Sequence, residues 1–282
     1  MDDSDYAFGR SRAEYDRLIE QAELFRPLTQ RMLLAAGIKR GMHVLDVGCG
    51  VGDVSFLVAA LVGGEGSVLG VDLDPEALKL AEERRAVQGI TNVEFQHSDA
   101  RSLDSARLFD AAVGRFILHF MKDPTETIRQ VAERVRPGGI VAFHEPDSRL
   151  TIAPAMNQPV LARLQDLLVR TFECTGARPD VGTELYMRML DAGLEPDPSP
   201  LAEIAVRMGQ GEVAYRRWEL FARSFLPKIV EYGVATEKDI LEILEQLRDE
   251  LVPARGFTPL SFLMIAQWAR RPEVARGPRA GK

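Results

Sequence analysis

The chain has 282 residues, 46% hydrophobic and 27% charged, a globular balance that excludes a disordered or fibrous chain and leaves room for one large α/β core or two domains. Thirty-five basic against 42 acidic residues give a net charge of −7, which works against nonspecific attraction to phosphate backbones or anionic membranes. Cys49 and Cys174 make no disulfide framework, no Cys/His cluster has metal-ligand spacing, and neither an export signal nor a membrane-spanning apolar run is read, so the expected setting is cytoplasmic.

Residues 12–36 carry a helical pattern and are expected to sit outside the sheet. From Met42 onward, short β-branched runs alternate with longer helical patterns, which implies βαβ units and a parallel sheet. Strands are expected at 44–47, 68–72, 93–97, 111–115 and 140–144. Helices are expected at 53–62, ended by Gly63-Gly64, and at 75–88, with Pro75 in the first turn. A third is expected at 123–135, with Asp123 as N-cap and Pro137-Gly138-Gly139 as terminator. Beyond Pro146 the rhythm changes to helices at 157–174 and 182–192, a strand at 201–206, and amphipathic helices at 212–232 and 236–251. A final strand at 260–268 closes the sheet. The expected architecture is a doubly wound, Rossmann-like α/β sheet of about seven mostly parallel strands with a helical cap. Its parts are an N-terminal helical lid (1–36), a core (37–206 and 257–270), a cap insertion (207–256) and a mobile basic tail (271–282).

The first strand runs into Asp46-Val47-Gly48-Cys49-Gly50-Val51-Gly52-Asp53 and then a helix. Glycines let backbone approach a ligand closely, and the following helix offers unpaired N–H donors. The dinucleotide fingerprint G-x-G-x-x-G would need a sixth-position glycine where Asp53 stands, so a nicotinamide dinucleotide is disfavoured. Asp72, 22 residues after Gly50, ends the second strand, where a carboxylate can accept from both hydroxyls of a ribose. Asp99 follows the third strand and can accept from the exocyclic amine of a base. In a parallel sheet the carboxyl ends of the strands share one edge, which gathers the glycine turn, Asp72, Asp99, Arg115, His144 and Glu145 around one crevice.

These segments resemble the class I S-adenosylmethionine-dependent methyltransferases: HVLDVGCGVGD, VLGVDLDPEAL, the SDA stretch, FDAAVGRFILHFMKDP and RVRPGGIVAFHEP. The resemblance runs from Pro27 to Phe143, fades beyond Pro146, and implies S-adenosylmethionine as cofactor. It implies that Gly48, Cys49 and Gly50 hold the methionine part, with Asp46 orienting the loop, Arg115 lining that end and Gln21 also touching the cofactor. Asp72 would bind the ribose, Leu73 would lie against the adenine, Asp99 would take its amine, and Ala100 would also touch the cofactor. RVRPGGIVAF and Leu118-His119 are similar to the small-molecule methyltransferases of ubiquinone and menaquinone biosynthesis, implying a small organic acceptor. The Asn/Asp-Pro-Pro-aromatic tetrapeptide of nucleic-acid amine methylases is replaced by Gly114-Arg115-Phe116-Ile117, and neither cysteine follows a proline, so a nucleic-acid partner is not expected. A homodimer is an open possibility.

Methyl transfer from a sulfonium is an in-line displacement that rewards placement of the acceptor, and a base is needed only where the acceptor must lose a proton. His119, His144 and Glu145, at or past strand ends, are the candidate catalytic residues. The N-terminal helix with Tyr15 and Gln21, the helix with Phe172 and Cys174, and the 212–251 pair are expected to form a lid, with Trp218, Phe221, Phe225 and Leu226 walling an apolar pocket. Two other readings compete with an enzyme: a non-catalytic S-adenosylmethionine-binding sensor or scaffold, and a site that uses the donor's cation electrostatically without transferring the methyl.

Overall fold

A computed structural model describes residues 12–101, 103, 108–147, 158–253 and 258–273 of the chain, the side chains of 12, 13 and 258–261 excepted. Alternating strands and helices build the first half. They are α1 (Arg12–Ala36), β1 (His43–Val47), α2 (Asp53–Val62), β2 (Ser67–Asp72), α3 (Pro75–Gln88), β3 (Val93–His97) and β4 (Phe109–Arg115). A single 3₁₀ turn, Leu118–Phe120, precedes α4 (Pro124–Ala132) and β5 (Val135–Asp147). Helix starts follow the expected chemistry. The Asp74 carboxylate accepts from the Glu76 and Ala77 amides ahead of α3, and Asp123 accepts from the Glu126 amide ahead of α4, each with proline in the first turn.

The second half supplies α5 (Pro159–Cys174), α6 (Val181–Asp191), the short β6 (Glu195–Pro196), β7 (Leu201–Gly209), α7 (Gly211–Glu231), α8 (Glu237–Leu251) and β8 (Thr258–Arg270). Thr236 and Asp239 close a reciprocal capping box at the start of α8. The sheet order is β3-β2-β1-β4-β5-β8-β6, with β7 also paired to β8. β1 to β5 pair in parallel, and β8 enters antiparallel between β5 and the β6/β7 edge. The doubly wound, mostly parallel sheet therefore stands as expected, with eight strands.

Central strands are buried on both faces, so their side chains alternate between two apolar layers rather than between core and solvent. Leu45, Val47 and Phe143 pack on one side against α4 and α6, while Val44, Ile140 and Ala142 pack on the other against Met32 and Leu33 of α1 and Val58 of α2. The short β6 was not expected, several strands run two or three residues longer than expected, and the largest difference falls between α4 and β5. α4 ends at Ala132, and β5 already begins at Val135, so Pro137-Gly138-Gly139 lies inside the strand. A register shift between Phe109 and Ala111 absorbs the irregularity, and Gly138 and Gly139 are tied instead to the Arg271 backbone. Helix α5 packs beside the last two helices: Leu161, Leu164 and Leu168 meet Trp218, Phe225 and Ile229 of α7 and Ile243 and Leu247 of α8. The cap is thus three helices, α5, α7 and α8. Of the tail expected to be mobile, residues 274–282 lie outside the described residues.

Candidate active site

The glycine turn leaves β1 and folds over the end of β2, with the Gly48 and Cys49 amides both donating to the Val71 carbonyl at 2.9 and 3.0 Å. Gly48 has φ +66°, and a Cβ there would meet Ile117 Cδ1 at 2.6 Å, so no other residue fits the close passage of the two loops. Gly50 has φ +51° and nothing within 4 Å of its Cβ position, so that the turn faces open space at this point. Behind the turn, Asp46 is fully buried and accepts from Ser55 Oγ at 2.5 Å; burial pushes its carboxyl up to about 7 despite the opposing pull of Ser55 and Arg115. Cys49 is buried in the same turn, and burial, reinforced by Asp46 and Asp72, holds its thiol well above the ordinary range.

Asp72 ends β2 with one carboxylate oxygen accepting from the Gly50 amide at 2.7 Å and the other from the Asp74 amide at 2.9 Å. Burial raises its pKa. Two adjoining hollows meet here. The larger, of about 200 Å³, takes in Gln21, Gly48, Cys49, Gly50, Asp72, Leu73, Arg115 and His119. The smaller, of about 50 Å³, shares Gly48, Asp72 and Leu73 and adds Asp99 and Ala100. Asp99 is clasped by Arg101, whose guanidinium approaches to 2.6 Å and holds the carboxyl below its usual range. Ten of the residues read from the sequence are therefore brought to one connected crevice, whereas Asp46, His144 and Glu145 line neither hollow. An open glycine turn, a carboxylate at the junction and a slot beyond it fit an elongated nucleoside such as S-adenosylmethionine.

Glu145 and His119 form a unit. Glu145, wholly buried, accepts from the Ile117 and Leu118 amides at 2.9 and 3.0 Å and from His119 Nδ1 at 2.8 Å. The carboxylate thus holds the 3₁₀ turn and fixes the imidazole with its Nδ1 proton inward, leaving Nε2 as the acceptor nitrogen. His144 sits one residue earlier on β5 and faces the opposite side of the sheet, where its Nδ1 lies 3.1 Å from Thr29 Oγ1 and its Nε2 has no partner. Burial, with Arg115 and Arg31 nearby, pushes it down to about 3. Arg115 donates to the same Thr29 hydroxyl at 3.1 Å, and burial lowers its pKa against the pull of Asp53 and Asp46.

The outer part of the larger hollow is walled by rings. Phe25, Phe116, His119, Phe172, Phe225, Phe221 and Phe262 follow one another at centroid separations of 4.9, 5.8, 5.7, 5.2, 5.3 and 6.3 Å, and Phe262 returns to Phe25 at 5.4 Å. Phe225 itself is fully buried and supports the ring from the cap interior, as does Trp218 beside it; Leu226 is packed there too. Phe221 and Phe172 reach the hollow, and Cys174 is exposed elsewhere. Sequence reasoning missed Phe25, Phe116, Phe120 and Phe262. Phe116 carries a backbone signal, φ +56°, the sole non-glycine positive φ among the described residues, but that signal appears only once the structure is known.

A family model described as a methyltransferase domain matches residues 38–193, more than half of the chain. The chain belongs to that family. It is an S-adenosylmethionine-dependent methyltransferase of the class I fold. The methyltransferase is 32% identical over 161 residues to aklanonic acid methyltransferase DauC of Streptomyces sp. (strain C5), covering 55% of this chain and 72% of that protein. It is 29% identical over 215 residues to the 2-phytyl-1,4-naphtoquinone methyltransferase of Synechococcus elongatus, covering 74% and 88%. Among solved structures, geranyl diphosphate C-methyltransferase from Streptomyces coelicolor A3(2) shares its fold, with a TM-score of 0.52 at 16% identity over 87% of this chain and 78% of that one. These relatives support turnover and lend nothing to a silent binding module.

Proposed function

We propose that this methyltransferase acts on a planar, largely apolar small molecule whose reacting atom must lose a proton, and that His119 takes that proton. The observation that carries the reading is the ring of aromatic side chains with His119 as one of its members. Flat π-faces at these spacings suit a flat guest, and an apolar wall strengthens the electrostatics of the few polar groups it contains. The naphtoquinone in the name of one relative is a molecule of that shape.

S-Adenosylmethionine, when bound, supplies an electrophilic methyl group on a sulfonium. Asp72 would hold the ribose hydroxyls, Leu73 and Ala100 the adenine faces, and Asp99 the adenine amine. Gly48, Cys49, Gly50, Gln21 and Arg115 would surround the amino-acid end, with Asp46 bracing the turn from behind through Ser55. His119 Nε2 accepts the acceptor's proton while Glu145 stabilises the imidazolium that forms. His144 stays neutral between Thr29 and the sheet and fixes the hydroxyl that positions Arg115. No described helix is long and apolar enough to cross a membrane. A cytoplasmic site of action and an acceptor other than nucleic acid remain part of the proposal, supported by the net charge of −7.

Incubation with S-adenosylmethionine and a panel of hydroxylated naphthoquinones, polycyclic phenols and small aliphatic alcohols tests this directly by S-adenosylhomocysteine release. The flat acceptors should turn over, and His119→Asn should lower kcat on them by about 10²-fold or more while S-adenosylhomocysteine still binds. Turnover confined to the aliphatic alcohols, or an undiminished kcat in His119→Asn, would defeat the reading.

A further inference from the structure

The edge strand β7 is unguarded in a way that points to a specific occupant. Its nine residues pair with β8 in nine consecutive registers without a bulge, and among the described residues no strand pairs with its other side. Free edges of this length ordinarily carry proline, lysine, a bulge or inward-pointing charges that block further pairing; β7 has none of the first three, and its charges are confined to Glu203 and Arg207. Its outward face is apolar, with Ile204 66%, Val206 42% and Met208 52% exposed. Its two charges, Glu203 and Arg207, lie on the other face and stand symmetrically about Ala205. Each already touches α1: Glu203 Oε1 pairs with Arg31, and Arg207 with Glu20. Glu203 Oε2 has no partner and is buried within the subunit.

We propose that a second copy of this chain pairs antiparallel along β7 about a two-fold axis at Ala205, continuing the sheet across the dimer. That register is self-complementary. It places Glu203 opposite Arg207 of the partner subunit and the reverse, at the separation of ~5 Å that lets cross-strand charges pair. It also places Ile204 opposite Val206 of the partner subunit on the apolar face. A shift of one residue to either side would lose the charge pairing, so the strand encodes its own register. Arg217 Nη1 holds the Met208 carbonyl at 2.8 Å, which confines the new ladder to the central residues.

Sedimentation velocity on the intact chain provides the test. The wild type sediments as a dimer. Ile204→Lys, at an exposed position, converts it to a folded monomer with S-adenosylhomocysteine affinity unchanged. Glu203→Arg and Arg207→Glu each raise the dimer Kd about tenfold or more, and the double exchange restores it. A wild type that is monomeric at the highest concentration reached overturns the proposal. So does a dimer that survives Ile204→Lys, or a pair of folded single exchanges whose combination does not recover association.

Discussion

Asp46 and His144 lie on the same face of the sheet with Arg115 between them, and they titrate in opposite senses. Burial raises Asp46 from 3.8 to about 7, so the folded chain keeps a proton that the unfolded chain has released. The stability tied to it is complete below 3.8 and is lost as the pH rises through about 7. His144 falls from 6.5 to about 3, so the unfolded chain holds a proton that the folded chain refuses. Its contribution is complete above 6.5 and is lost as the pH drops toward 3. One proton's difference is worth about 1.4 kcal/mol per pH unit, so between 3.8 and 6.5 the two slopes oppose and nearly cancel in the wild type. Asp46→Asn removes one of them. Relative to wild type it should gain about 1.4 kcal/mol per pH unit on going from 3.8 toward 7, ~4 kcal/mol across the window. His144→Gln should show a slope of the same size and opposite sign. Urea unfolding read by the fluorescence of Trp218 and Trp268, repeated at several pH values in that window, measures both. Variants whose stability runs parallel to wild type across the window would refute the reasoning.

Two further outcomes are expected. Asp72→Ala should weaken S-adenosylhomocysteine binding by about 1.5–3 kcal/mol in calorimetry, the cost of a charge-assisted hydrogen bond, and an unchanged affinity would remove Asp72 from the ribose site. Phe225→Ala should cost about 3–5 kcal/mol of stability because that ring is fully buried, whereas the partly exposed Phe221, changed to Ala, should chiefly raise the KM for a flat acceptor. Equal effects of the two on KM would show that the wall is drawn in the wrong place.

The crevice was legible because it depends on local rules. A glycine turn between strand and helix and carboxylates at strand ends are short-range patterns, and parallel pairing then delivers Gly48, Asp72 and Asp99 to one edge. The proposed acceptor side was legible only in part: Phe172 and Phe221 were visible as lid and wall, but Phe25, Phe116 and Phe262 are ordinary aromatic residues until distant elements fold them into one ring. Periodicity marked Trp218, Phe221, Phe225 and Leu226 as one apolar set on α7, but only packing shows which of them turns to the hollow. His119 and Glu145 were both visible as strand-end residues. Their pairing at 2.8 Å was not, since it rests on the register of β4 against β5. The Pro-Gly-Gly stretch misled for a related reason: a terminator by composition was tolerated inside β5 through a shifted register.

The order in which the walls of the site are written along the chain has a consequence for its assembly. Every residue proposed to face the donor lies between Gln21 and Arg115, and a ribosome has delivered all of them before half of the polypeptide exists. The acceptor ring closes only with Phe262 on β8, the last strand, which must also slide between β5 and the β6/β7 edge. Contacts that span so much sequence form late and slowly. If the ring selects the acceptor as proposed, that selectivity is the final property this chain acquires as it folds.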